Sequence, residues 1–187
     1  MKTKHILTLA TGLLIGFTAC KKDDDEVGYK ASAVETVSFS SPKEAAPGPS
    51  GDFGVWYYNF DTKTSSENVG QVKFFGLYSG DFGLANEGLS LGYVDVDGKT
   101  LATLSLEDIT KAELTSVEKL STGTWYTYGE NHSTPPIANR YVVVYTGADI
   151  KTASNIYIIQ LNSLGYEKKE SGKYVGKISF SFKSFKK

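Results

Sequence analysis

Few side chains here are nucleophiles or soft metal ligands. The 187-residue chain has one cysteine, Cys20, two histidines, His5 and His132, and one methionine, Met1. A structural zinc site takes four Cys, His or carboxylate ligands, and a catalytic one usually takes three, so zinc chemistry is nearly excluded. A Ser-His-Asp triad would have to use His132, and no Gly-x-Ser-x-Gly elbow accompanies it. Rings with a polar tip are the plentiful resource: 12 Tyr and 2 Trp, beside 10 Phe. Such rings suit half-buried sheets and binding surfaces alike.

Cys20 follows a three-part leader. Lys2 and Lys4 give a short positive region, and Ile6 to Ala19 is uncharged and mostly apolar. That run has the length of a signal-peptide core and is too short for a mature transmembrane helix. It closes on Phe17-Thr18-Ala19-Cys20, which looks like the lipobox of bacterial lipoproteins, with Phe17 where Leu is usual. Cleavage before Cys20 and acylation of its thiol are expected. Each buried methylene of the lipid contributes about 0.8 kcal/mol, and two or more chains hold firmly. Lys21 to Glu26, KKDDDE, is a charge run that cannot join a core and reads as a solvated tether. Beside a lipidated cysteine it also resembles the acidic export signal of surface lipoproteins in the Bacteroidetes. The expected divisions are residues 1–19 as signal, 20–33 as lipidated cysteine and tether, and 34–187 as one domain.

Processing also limits the chemistry. Removing 19 of the 187 residues leaves 168, enough for one domain with a sizeable core. Losing Lys2 and Lys4 takes the net charge from −1 to −3. No basic patch of useful size remains, so nucleic acid is not an expected partner. Met1 and His5 leave with the signal, and acylation consumes the thiol. Cys-His catalysis is then closed, His132 is the remaining histidine, and an enzyme is not expected.

The remaining sequence reads as strands. Glu35 to Ser40 alternates, Pro42 to Ser50 is a loop, and Phe53 to Phe60 and Val72 to Tyr78 are aromatic-rich strands. Leu89 to Val96 and Lys99 to Leu104 flank Asp97-Gly98, which predicts a hairpin. Asp95-Val96-Asp97-Gly98 lacks the ligand spacing of a calcium loop. Leu106 to Lys119 has a helical look, with Ser105 and Asp108 close to a capping box. Arg140 to Thr146 reads as a buried strand, Asn155 to Leu161 as another, and Lys173 to Phe182 alternates with period two. Many short strands and one weak helix predict an all-β fold, a single antiparallel β-sandwich or barrel-like domain.

The last third is also similar to a known family. Gly123-Thr124-Trp125-Tyr126-Thr127-Tyr128, a short loop, Pro136 to Arg140, the strand Tyr141 to Tyr145, then Ile156 to Leu161, Ser171 to Val175 and Ile178 to Phe182 resemble, in order and spacing, the HmuY family of haem-binding lipoproteins of the Bacteroidetes. Val55 to Phe60 resembles that family's early aromatic strand. The resemblance covers roughly residues 53–182. It implies an all-β fold and haem capture at the cell surface for a TonB-dependent transporter. In that family two histidines, or methionines, clamp the iron. His132 lies in the matching loop, offset by about two positions, whereas Glu107 to Leu120 holds neither His nor Met. The bis-His, His-Met and bis-Met clamps are therefore impossible after processing. What remains is His132 alone, His132 with a tyrosine, or no iron ligation.

Tyrosine can ligate haem iron, and Tyr126 and Tyr128 are nearest in sequence. Arg140 is either a strand-start residue in a structural ion pair or a bidentate partner for a haem propionate. His132 is either an exposed surface histidine or an iron ligand. Two other readings stand beside haem binding: a module for a glycan or peptide, and an accessory lipoprotein of an outer-membrane transporter.

Overall fold

The structure, a computed structural model, describes residues 28–46, 48 and 50–187. The lipobox, Cys20 and the Lys21 to Glu26 run lie outside the described residues. Among the described residues strands account for 46% and helical turns for 8%, so the fold is all-β.

One sheet is built from β1 (Lys30–Ala31), β2 (Glu35–Ser40), β7 (Leu89–Asp95), β8 (Thr115–Ser116), β10 (Arg140–Thr146), β11 (Asn155–Lys168) and β12 (Tyr174–Lys186). Its order is β1-β12-β11-β10-β7-β8, with β2 also paired to β12. The second sheet orders β4 (Thr64–Ser66), β3 (Trp56–Asn59), β5 (Val72–Phe75), β6 (Asp81–Leu84) and β9 (Lys119–Leu120). The sheets are antiparallel and one is strongly curled.

The main core lies between the sheets, and β12 shows why. Ile178, Phe180 and Phe182 alternate inward, while Ser179 and Ser181 point out to bond Ser38 and Thr36 of β2. The period-two pattern thus gives one packed and one hydroxyl-lined face. β10 buries both faces. Val142 and Val144 enter the main core, whereas Tyr141, Val143 and Tyr145 meet Leu101, Leu104, Leu106 and Ile109 in a second core. Burial on two sides explains its unbroken apolar run.

The helix is shorter than its pattern predicts. α1 spans Leu106–Lys111, not Leu106 to Lys119, because Ala112 turns to an extended conformation and Thr115–Ser116 and Lys119–Leu120 beyond it join strands. Its start is as predicted: the Ser105 hydroxyl accepts from the Asp108 amide at 3.1 Å, and the Asp108 carboxylate accepts from the Ser105 amide at 2.9 Å. Ser105→Ala should lower the unfolding free energy by about 1 kcal/mol. Urea denaturation reads this, and an unchanged midpoint would contradict it.

Two other expectations are corrected. Lys99 to Leu104 is not a strand. Reciprocal Thr100–Thr103 hydrogen bonds close a turn there, which drops Leu101 and Leu104 into the second core, and β7 pairs with β10 and β8 instead. The strand expected over Val72 to Tyr78 stops at Phe75, since Gly76, Tyr78 and Ser79 are left-handed (φ 66, 53 and 54°).

A candidate ligand-binding corner

The segment between β9 and β10 is fastened at several points. The Trp125 indole donates to the Gly80 carbonyl at 2.9 Å. The Thr127 amide donates to Pro135 O at 2.9 Å, and the Gly129 amide to Ser133 O at 3.0 Å. Residues 127–135 therefore form a clamped loop. The buried Thr134 hydroxyl ties it to β11 by donating to Leu164 O at 2.6 Å. At its tip Asn131 and His132 are both left-handed, φ 55 and 58°. Asn and His are among the non-glycine residues that enter this region most readily.

His132 is exposed at this tip. Its Nδ1 lies 2.5 Å from the Tyr128 hydroxyl, and Tyr128 is half-buried against the main core. Among the described residues no group holds Nε2. Tyr166, near the far end of β11, faces the imidazole edge-on with centroids 6.4 Å apart. It also contacts Tyr174 at 5.2 Å and Tyr78 at 5.0 Å. Tyr166 is 37% exposed and Tyr78 fully buried. Burial pushes the Tyr78 hydroxyl pKa up; the Gly48 backbone lies beside that hydroxyl, yet among the described residues no hydrogen bond of normal geometry satisfies it.

The other two residues singled out in sequence stand elsewhere. Tyr126 is 1% exposed, and its hydroxyl donates to Asp81 at 2.6 Å. It is a core residue with its oxygen engaged, so the tyrosine that meets His132 is Tyr128 alone of the two. Arg140 is bidentate to Asp95, at 2.7 Å through Nε and 2.6 Å through Nη2. Its Nη1 donates to Thr124 O at 3.0 Å, and its guanidinium lies 4.0 Å from the Tyr93 ring centroid. This is the structural ion pair of the two readings, and it holds the Asp95 carboxyl below its usual pKa. The Asp95 to Gly98 segment leads into a turn, not a hairpin.

Tyr166, Tyr174 and Tyr78 were not singled out in sequence. Tyr166 sits beyond Leu161 in a polar stretch, so the alternation that marks a strand fades before reaching it.

Asp81 gives a pH prediction. Burial raises its carboxyl pKa, and the Tyr126 hydroxyl and Lys119 offset only part of that. A carboxyl raised in the folded state binds its proton more tightly there, so the ionised form lowers stability at neutral pH and the loss fades as pH falls through the folded pKa. Asp81→Asn keeps an oxygen for Tyr126. Its gain in denaturation free energy at pH 7 should shrink by pH 4. A gain equal at both values would contradict the reading.

Among the described residues no group of three His, Cys, Asp or Glu is placed to hold a bare metal ion. Compared with protein-family models, curated proteins and solved structures, the chain matches none.

Proposed function

We propose that this chain is a surface-exposed outer-membrane lipoprotein, anchored through Cys20, that binds haem or a related porphyrin for uptake by a TonB-dependent transporter. The observation that carries this reading is the His132–Tyr128 pair. Ligating histidines commonly have their second ring nitrogen held by a neighbour, which fixes the tautomer. Here Tyr128 meets Nδ1 and leaves Nε2 as the ligating atom.

In the ligating tautomer Nδ1–H donates to the Tyr128 oxygen and the Nε2 lone pair faces the ligand. A single imidazole suits iron that arrives within its own macrocycle. Haem supplies that iron and a flat apolar face, for which the exposed Tyr166 ring offers a wall. The same hydroxyl-tipped rings, Tyr128, Tyr166 and Tyr174, favour a glycan as the second reading, since sugars stack on such rings.

Hemin titrated into the purified domain should give a shifted Soret band that saturates at one hemin per chain. An unshifted band at micromolar hemin, with binding to a polysaccharide panel, would transfer the corner to the second reading.

A further inference from the structure

The chain enters the domain at a fixed place. Tyr29 is 8% exposed, and its hydroxyl donates to Ala153 O at 2.6 Å. β1 pairs Lys30 with Lys186 and Ala31 with Phe185. The Lys187 amine lies 4.7 Å from the Tyr29 ring centroid. All of this is at the end of the sheet where β11 begins, since Asn155 also pairs with Lys186.

The His132 corner is at the other end of the same strand. Eleven residue steps separate Asn155 from Tyr166. At roughly 3.3 Å per residue they span about 36 Å, which curl and the irregularity at Leu161/Ser163 shorten somewhat. Nine steps separate Cys20 from Tyr29. A fully extended chain gains at most about 3.3–3.6 Å per step, or about 30–32 Å. Even fully extended and folded back along the domain, the tether only about matches the strand dividing its root from the corner, whereas a relaxed tether keeps the root next to the lipid.

We infer that the Tyr29–Ala153–Lys187 end faces the lipid headgroups, and that the His132–Tyr166 corner is directed away from the bilayer. This rests on the anchoring of Cys20 proposed above, not on haem. The domain can lean about this root, and standing on its corner would hold the tether at full stretch. The surface presented to the membrane carries exposed Lys30, Lys151 and Lys187, suited to phosphate groups. The charges of the adjoining cleft, about 260 Å³, are largely paired: Lys63 with Glu35 and Lys186 with Asp61, each at 2.5 Å.

The test uses the full lipidated chain on phosphatidylethanolamine–phosphatidylglycerol vesicles carrying a nitroxide headgroup lipid. With Cys20 acylated, Lys151→Cys or Lys168→Cys supplies the one free thiol for a fluorophore, and both positions are exposed. Several-fold stronger quenching at position 151 than at 168 is expected. Equal or reversed quenching on protein that co-floats with the vesicles would overturn the orientation alone. Protein that does not co-float would overturn the anchoring, and the orientation with it. No hemin is used, so neither result bears on haem binding.

Discussion

Gly176→Ala should destabilise the domain by about 3 kcal/mol or more, the upper range for overpacking a closed site. A Cβ at this position would lie 1.9 Å from the Tyr78 carbonyl oxygen and 2.4 Å from its carbonyl carbon. Both obstacles are backbone, and neither side can yield. Gly176 accepts from the Ser41 amide at 2.8 Å and donates to the Ser41 hydroxyl at 2.9 Å. Across from it, Ser79 holds the Phe53 and Gly54 carbonyls, and Gly80 accepts from Trp125. Gly80 gives a contrast, since the three atoms nearest its added Cβ all belong to the Leu164 side chain, the first at 2.4 Å. Gly165 has nothing within 4 Å of the added atom, so Gly165→Ala should stay within about 0.5 kcal/mol of the native chain. Denaturation midpoints of Gly176→Ala and Gly165→Ala read the order directly. A Gly176→Ala protein as stable as Gly165→Ala would show that Tyr78 is not fixed where the structure puts it. Because Tyr78 underlies Tyr166, the same variant should also loosen the corner.

The second large effect is on hemin affinity. His132→Ala removes the proposed iron ligand and should weaken binding by at least about tenfold, or 1.4 kcal/mol. Tyr128→Phe keeps the imidazole but releases Nδ1. Loss of an outer partner of a metal-bound histidine typically costs about 10–100-fold; here the low end is expected, because an exposed ring can replace Tyr128 with water. Tyr126→Phe should leave the affinity unchanged, because that hydroxyl serves Asp81 inside the core. Soret titrations of the three variants separate the roles. An unchanged affinity in Tyr128→Phe would remove Tyr128 as a positioning residue, and an unchanged one in His132→Ala would remove the proposed ligand itself.

Much of the sandwich is legible in the sequence because burial leaves a period. The limits of β2 and β10 coincide with their apolar patterns, Glu35–Ser40 and Arg140–Thr146. The Ser105 cap is also legible, since both partners are three residues apart. Asp97-Gly98 shows the limit: the dipeptide specifies a turn, but the strand expected after it lost to the burial of Leu101 and Leu104 under the second core. Tyr78 shows another, since its left-handed turn depends on Gly176, about a hundred residues away, having no side chain. Of the corner, the sequence pointed to His132 through its loop position and to Tyr126 and Tyr128 only as the tyrosines nearest in sequence. It could not separate Tyr128 from Tyr126, because which of two nearby rings faces inward depends on the sheet beneath. Tyr166 is brought to the corner by the length of β11, fourteen residues, which exceeds its apolar stretch.

The most direct measurement exploits the scarcity of histidine. A chain beginning at Cys20 carries one imidazole, that of His132, so selective ¹⁵N-histidine labelling gives one pair of ring nitrogen resonances with no assignment problem. On addition of one equivalent of hemin, the resonances of His132 should shift or broaden beyond detection, and Tyr128→Phe should alter the tautomer balance seen before hemin is added. Ring resonances that hemin leaves unmoved, in a protein whose Soret band shows hemin bound, would contradict ligation by His132.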